Sequence, residues 1–211
     1  MARVRRELLE AADALSAGDP AMRKIIHAAG APDIRRGRPK RTHFAELARA
    51  VCYQQLAGAA ARTIHGRFEA LFKNNQPTPE ATLKLPVTKL RGAGLSGAKA
   101  ASIRDLAEKI IAGDVELDRV GRLSNDGLLA ELTRVRGIGR WTAEMFLIFQ
   151  LGRLDVWPVD DLGVRKGYAQ LYRLRKLPLP KQLEPLGDKF RPYRSVAAWY
   201  CWRAADTVIP D

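Results

Sequence analysis

Two adjacent carboxylates, Asp160 and Asp161, directly precede a segment with helical periodicity, after the turn residues Trp157, Pro158 and Val159. An aspartate at a helix start commonly caps the first backbone N–H groups, and the helix dipole favours its ionised form. An ionised carboxylate held in place can also act chemically, by stabilising positive charge that develops on a bound substrate. A helix cap alone and a cap that also does this chemistry are therefore both compatible with the sequence.

A glycine-containing hairpin, residues 135–140, lies upstream and opens an apolar helix. Gly137 and Gly139 carry no side chains, so backbone N–H groups at the helix start can approach an anion closely. The chain has 36 Lys and Arg against 23 Asp and Glu, a net charge of +13. Such a charge favours a polyanion, and beside the hairpin it indicates DNA phosphate. Without the hairpin, the charge would equally suit a ribosome- or membrane-associated protein.

The composition excludes several other classes of protein. The chain has 211 residues, 46% of them hydrophobic, enough for one domain or two intimate lobes. No apolar run approaches the ~20 residues of a membrane span and the N-terminus lacks a secretory signal, so we expect a cytoplasmic, nucleoid-associated protein. Cys52 and Cys201 are expected to be buried thiols, and two thiolates cannot hold an iron–sulfur cluster. His27, His43 and His65 lack metal-ligand spacing, so no metal site made of side chains is predicted.

Helical periodicity recurs along the chain while strand signals are nearly absent, which predicts an all-α fold. Asp19 with Pro20 and Ser124 with Asn125 are typical helix starts, and Gly113 is typical of a helix end. The predicted helices span about 5–16, 20–29, 43–57, 60–73, 79–84, 87–92, 97–112, 118–122, 125–134, 140–151, 161–174, 180–186 and 192–206.

Two further segments have alternative interpretations. Residues 35–41 form a basic segment interrupted by glycine and proline, which is either a solvated loop or a contact to the phosphate backbone. Residues 90–100 again place glycines and a lysine before an amphipathic helix. They form either an ordinary helix connection or a second phosphate contact.

The residues around the hairpin resemble those of a known protein family. In chain order they are Leu132, Val135, the hairpin residues 137–139, Trp141 with Thr142 and Ala143, and the later Pro158 with its two aspartates. This pattern is similar to that of the helix-hairpin-helix (HhH-GPD) superfamily of DNA glycosylases, and most closely to the 3-methyladenine DNA glycosylase II branch. The resemblance covers about residues 20–206. It implies a two-lobed helical fold with a DNA-binding cleft between the lobes, one lobe formed by 44–155 and the other by 1–43 with 156–211.

The resemblance also implies DNA-contacting residues. The segment 52–58 looks like the turn that fills the space left by a flipped nucleotide, with Leu56 as the apolar wedge and Gln55 as its polar neighbour. The alternative is that Leu56 is a core residue at a helix end. Backbone carbonyls of the hairpin could hold Na⁺ or K⁺ in this superfamily, and no other cofactor is expected. The residues expected to bind phosphate are Arg136, Gly137, Ile138, Gly139, Arg140 and Thr142.

The position of each residue relative to the same family also implies which residues take part in the reaction. In the alkylpurine branch the second aspartate of the pair is the catalytic one, which implies Asp161 here. In other members of the superfamily the spacing from the proline differs, and counting that spacing from Pro158 would imply Asp160 instead. Trp141 stands where bifunctional relatives have a lysine that forms a Schiff base, and tryptophan cannot form an imine. Trp141, Met145 and Trp202 would line the base pocket, where indole rings attract cationic alkylated purines. Met145 replaces a tyrosine of a relative.

These expectations together predict a monofunctional glycosylase. It would hydrolyse the N-glycosidic bond of alkylated purines, of the 3-methyladenine and 7-methylguanine type, by base flipping and so start base excision repair. Its partner would be double-stranded DNA containing alkylated bases, with no membrane association, and the protein would be a monomer. The alternatives are a bifunctional glycosylase-lyase for oxidised or mismatched bases and a non-catalytic protein that binds lesions.

Overall fold

The computed structural model describes residues 2–34, 41–56 and 58–205, and in these ranges it contains helices and no strands. The all-α prediction is thereby confirmed. The basic segment expected to be a loop or a phosphate contact lies outside the described residues, apart from Arg41. The α-helices are α1 (Ala2–Gly18), α2 (Pro20–Ala29), α3 (His43–Tyr53), α4 (Gly58–Glu69), α5 (Pro79–Lys84), α6 (Val87–Gly92), α7 (Gly97–Ala112), α8 (Asn125–Thr133), α9 (Arg140–Met145), α10 (Leu162–Leu171), α11 (Pro180–Leu186) and α12 (Arg194–Ala204).

The helices begin and end where local chemistry dictates. The Asp19 side chain accepts hydrogen bonds from the N–H groups of Ala21 and Met22, and Ser124 accepts one from Gly127. Gly113 ends α7 in the left-handed conformation, with φ of 80°. Short 3₁₀ turns form at Lys73–Asn75, Leu117–Arg119 and Asp188–Phe190, and α9 continues as a π-helical segment, Phe146–Gln150. None of the described helices is both long enough and apolar enough to cross a bilayer.

The chain divides into two compact units. The hairpin unit, Pro39–Phe146, contains α3 to α9, and α7 packs against α3, α5 and α6. Side chains from α3, α4, α7 and α8 are fully buried and form its core, among them Leu47, Phe68, Leu106 and Leu132. Since α7 contacts three other helices of the unit, its side chains can also hold the loops that connect them in place.

The carboxylate unit combines Met1–Arg38 with Leu147–Asp211. Its central element is α12, whose residues 195–202 are all buried and which packs against α1, α2 and α10. A helix that is buried on every side forms the core of its unit. The approach of α10 to α12 requires Gly167, because a side-chain carbon there would overlap the backbone carbonyl of Cys201.

Both junctions between the units lie earlier in the chain than the predicted limits of 44 and 155. The second junction is displaced because residues just before 156 are bound to α12. The Ser195 N–H donates to the Leu154 carbonyl at 2.8 Å, and the Ser195 hydroxyl donates to the Arg153 carbonyl at 2.7 Å.

Candidate functional site

Gly137 is required in the hairpin for two independent reasons. Its φ of 75° lies in the left-handed region that side chains disfavour. A side-chain carbon at this position would also overlap the hydroxyl of Ser102 on α7. The hairpin therefore packs directly against α7, and only glycine permits that approach.

The hairpin alternates between buried and exposed residues. Ile138 and Thr142 are buried, at 3% and 6% exposure, and anchor the loop in the core. Arg136, Gly139 and Arg140 are exposed. A side-chain carbon added at Gly139 would meet no atom of the described chain within 4 Å. Since Gly139 is the N-cap of α9 and brings no side-chain cap, the open first turn can receive an anion such as a phosphate.

Two hydrogen bonds hold the arginine positions of the hairpin. The Arg136 N–H donates to Asp105 Oδ2 on α7 at 2.7 Å. The Arg140 guanidinium donates to Glu144 Oε1 at 2.9 Å, and Glu144 is only 1% exposed. Arg140 therefore compensates a buried carboxylate and is half-exposed at the same time.

The predicted wedge residues lie on a tight turn, because α3 ends at Tyr53 rather than continuing to residue 57. Gln54 has φ of −53° and ψ of 131°, Gln55 has φ of 56°, and the Leu56 N–H donates to the Tyr53 carbonyl at 3.4 Å. These are the features of a type II turn, whose third residue is usually glycine. Leu56 is 38% exposed, so it is not the core leucine of the alternative interpretation.

The turn and the hairpin are joined by Gln54, a residue for which no individual role was predicted. Its side-chain amide donates to the Gly137 carbonyl at 2.9 Å, and the same nitrogen lies 3.5 Å from the Thr142 hydroxyl. The end of α3 is held from another side, because Lys99 of α7 donates to the Cys52 carbonyl at 2.8 Å. Within the hairpin unit, the structure thus brings the predicted wedge and the predicted phosphate-binding residues together.

Asp161 is the N-cap of α10 and is 7% exposed. Its Oδ1 accepts two hydrogen bonds of 2.8 Å, one from the Val164 N–H and one from the indole Nε1–H of Trp202. Two donors from different helices fix the orientation of the carboxylate. The alternative residue, Asp160, is exposed.

Trp202 has a different environment from the one expected of a pocket wall. It is 1% exposed, and its ring stacks on Phe149 with centroids 5.7 Å apart. Its hydrogen bond to Asp161 gives it a role in placing the carboxylate that the sequence did not indicate. Of the other two expected pocket residues, Trp141 is 41% exposed and Met145 is 8% exposed, and both belong to the hairpin unit.

Trp157, which has no role in the sequence-based account, anchors the turn before Asp161. Its indole N–H donates to the Leu183 carbonyl at 3.0 Å. Gly187 lies against the same ring so closely that a side-chain carbon there would overlap it. The turn 157–161 is therefore pinned at its beginning by Trp157 and at its end by the cap of α10.

The segment preceding this turn is also clamped to the start of α12. Arg194 binds both carboxylate oxygens of Asp155, at 2.6 and 3.1 Å, and Arg191 adds a third contact at 3.0 Å. The Val156 N–H donates to the Ser195 hydroxyl at 3.0 Å. Bidentate arginine–carboxylate pairs are directional, so this clamp restricts the backbone that leads to Asp161.

The cysteines are free, buried thiols, as predicted. Burial raises the pKa of Cys52 to about 12 and also raises the pKa of Cys201, so neither is a thiolate nucleophile at neutral pH. Among the described residues, His, Cys, Asp and Glu side chains form no group of three or more suited to a metal ion.

Comparisons with known proteins agree on one family. A family model described as HhH-GPD superfamily base excision DNA repair protein matches residues 48–192. DNA-3-methyladenine glycosylase 1 of Schizosaccharomyces pombe is 39% identical over 193 residues, covering 90% of this chain and 85% of that protein.

Two solved structures are similar over nearly the whole chain. The 3-methyladenine DNA glycosylase of S. pombe in complex with abasic DNA has a TM-score of 0.79 at 39% identity and covers 92% of this chain and 95% of that one. The DNA-3-methyladenine glycosidase of Bacillus halodurans has a TM-score of 0.85 at 34% identity, with coverages of 93% and 89%.

Proposed function

The chain belongs to the HhH-GPD superfamily of base excision DNA repair proteins, and we propose that it is a monofunctional DNA glycosylase for alkylated purines in duplex DNA. The observation that carries this proposal is the fixed position of the Asp161 carboxylate. This carboxylate is nearly buried, caps α10 and is oriented by the Trp202 indole at 2.8 Å. Such a preorganised charge suits the hydrolysis of an N-glycosidic bond.

The reaction breaks the bond between C1′ of deoxyribose and the purine nitrogen. As the base departs with the bonding electrons, positive charge develops on the sugar, and a fixed carboxylate nearby lowers the barrier. Water then adds to C1′ and loses a proton, which leaves an abasic site. A purine alkylated at N3 or N7 already carries a positive charge, so it leaves as a neutral base without being protonated first.

Trp141 supports a purely hydrolytic reaction. By its resemblance to the superfamily, it stands where bifunctional members carry the lysine that attacks C1′, and an indole cannot form the covalent imine. We therefore propose that no covalent enzyme–DNA intermediate forms. The exposed indole of Trp141 offers instead an electron-rich surface to a cationic base.

The hairpin unit would supply the grip on DNA. The open first turn at Gly139 suits a backbone phosphate, and the net charge of +13 favours a polyanion at longer range. The exposed Leu56 would occupy the space of a flipped nucleotide, since base flipping requires a replacement for the lost stacking. We propose that the protein acts as a monomer on double-stranded DNA.

One assay distinguishes this function from its two alternatives. The protein is incubated with duplex DNA treated with a methylating agent, and released bases and strand breaks are measured. We expect free 3-methyladenine and 7-methylguanine, with strand breaks only after alkali. Breaks before alkali would support the bifunctional alternative, and binding without any base release would support the non-catalytic one.

A further inference from the structure

The two elements of the hairpin unit proposed to contact DNA are linked by a direct side-chain contact. Gln54 lies in the turn that carries Leu56, and its amide donates to the Gly137 carbonyl at the tip of the hairpin, 83 residues away, at 2.9 Å. The Thr142 hydroxyl, on the helix that follows the hairpin, lies 3.5 Å from the same nitrogen. One amide therefore contacts both the tip of the hairpin and the helix that follows it.

Helix α7 contacts both the end of α3, just before the turn, and the hairpin. Lys99 donates to the Cys52 carbonyl at the end of α3, Ser102 lies against Gly137, and Asp105 accepts the Arg136 N–H. These three residues are spaced three apart, so they follow one another along one side of the helix. One continuous helix of 16 residues therefore contacts both the turn and the hairpin.

The turn from Tyr53 to Leu56, which carries the predicted wedge, needs such support because its backbone is strained. Gln55 has φ of 56°, a conformation that costs a non-glycine residue about 1–2 kcal/mol and persists only when its surroundings impose it. Lys99 fixes the chain just before the turn, and the Gln54 side chain fixes its second residue. Without the Gln54 bond, the backbone at Gln55 could relax and Leu56 would lose its defined direction.

We propose that Gln54 is a positioning residue, which aligns Leu56 with the phosphate-binding hairpin and so couples DNA binding to base flipping. This inference rests on the proposed glycosylase function. Gln54 acts through Leu56, because its amide is occupied by the Gly137 carbonyl. It should therefore contribute to the flipped state and little to binding of undamaged duplex.

The experiment uses a double-mutant cycle of Gln54→Met and Leu56→Ala. Methionine keeps the length of the glutamine side chain and removes the donor. Gln76→Met, at an exposed glutamine before α5, is the matched control. For each variant, the single-turnover rate of base excision, the affinity for undamaged duplex and the thermal unfolding midpoint are measured. The fluorescence of a 2-aminopurine beside the lesion reports flipping.

We expect Gln54→Met to reduce the excision rate about tenfold and to reduce the 2-aminopurine signal, while affinity for undamaged duplex changes less than twofold. In the Leu56→Ala background the same substitution should cost less than twofold, because interacting residues are not additive. Gln76→Met should behave as wild type. A merely structural role for Gln54 would lower the unfolding midpoint and reduce excision equally in both backgrounds.

The proposal is overturned if Gln54→Met excises at the wild-type rate, or if its effect is unchanged in the absence of Leu56. Should Gln54→Met fail to fold, Gln54→Glu provides a second variant, since it keeps the shape and replaces the donor with an acceptor facing the Gly137 carbonyl. Equal effects of Gln54→Glu in both backgrounds would again overturn the proposal. Failure of the wild-type protein to release any base would instead reject the glycosylase function.

Discussion

Replacing Trp202 by phenylalanine removes the indole N–H that binds Asp161 but leaves an aromatic ring beside Phe149. The lost hydrogen bond is 2.8 Å long and buried, and its acceptor is a carboxylate. Hydrogen bonds to charged groups contribute about 1.5–3 kcal/mol, and the smaller ring loses about 1–2 kcal/mol of packing. We therefore expect the free energy of unfolding to fall by about 2.5–5 kcal/mol. The base-excision rate should fall ~10–100-fold, because the carboxylate loses the orienting donor that α12 provides.

Trp199 provides the matched control for this prediction. It lies one helical turn earlier on α12, is 4% exposed, and its Nε1 has no hydrogen-bond partner in the described part of the chain. Trp199→Phe thus removes similar packing without removing a bond, and eliminates an unsatisfied buried donor. We expect a loss of stability of ~1 kcal/mol or less and an excision rate within twofold of wild type.

Both variants are measured by denaturant unfolding, followed by circular dichroism because tryptophan fluorescence is itself altered. Excision is measured under single-turnover conditions on methylated duplex, at a temperature where both variants are fully folded. If Trp202→Phe excises as fast as Trp199→Phe, the indole hydrogen bond does not orient the Asp161 carboxylate for excision.

Three further predictions follow from the geometry. Gly139→Asp should weaken binding to damaged and undamaged DNA alike, and should lower the slope of log affinity against log salt concentration by ~0.9 for each lost phosphate contact. Gly139→Ala should bind normally. Equal salt slopes for the two variants would contradict the phosphate site. Wild-type protein should give no borohydride-trapped complex with its substrate, and trapping of the wild-type protein would contradict hydrolysis. Trapping gained only in Trp141→Lys would agree with hydrolysis by the wild type, because the new amine can form an imine. Gly167→Ala should cost about 1–3 kcal/mol of stability in denaturant unfolding, because the new methyl overlaps the Cys201 carbonyl. Gly66→Ala, at an open helical position, should not destabilise the fold.

The helices and the cap at Asp161 could be predicted from the sequence because their signals are local. Asp19, Ser124 and Asp161 bond to backbone groups within three residues, and such contacts are visible as residue types at fixed spacing. The hairpin glycines likewise predicted a backbone open to a close approach, whereas the left-handed φ of Gly137 and its contact with Ser102 were not predicted. The family resemblance then supplied the expected roles.

The residues that orient the site could not be predicted in the same way. The Trp202 indole bonds to Asp161 across 41 residues, Gln54 bonds to Gly137 across 83, and Trp157 bonds to Leu183 across 26. Such contacts depend on tertiary packing, and no local pattern distinguishes an indole that donates to a carboxylate from one that only packs. The early end of α3 was missed for the same reason, since the left-handed Gln55 is imposed by its surroundings.

We propose that the Asp161 carboxylate drives base excision. Asp161→Asn tests it directly, because asparagine retains an Oδ1 that can accept the bonds from Val164 and Trp202, so that the fold and DNA binding should be preserved while the charge is lost. Single-turnover excision of 3-methyladenine should fall by ~10²–10³ in Asp161→Asn and remain near wild type in Asp160→Asn. An Asp161→Asn variant that excises at the wild-type rate, above all beside an inactive Asp160→Asn variant, would show that Asp161 is not the carboxylate that drives excision.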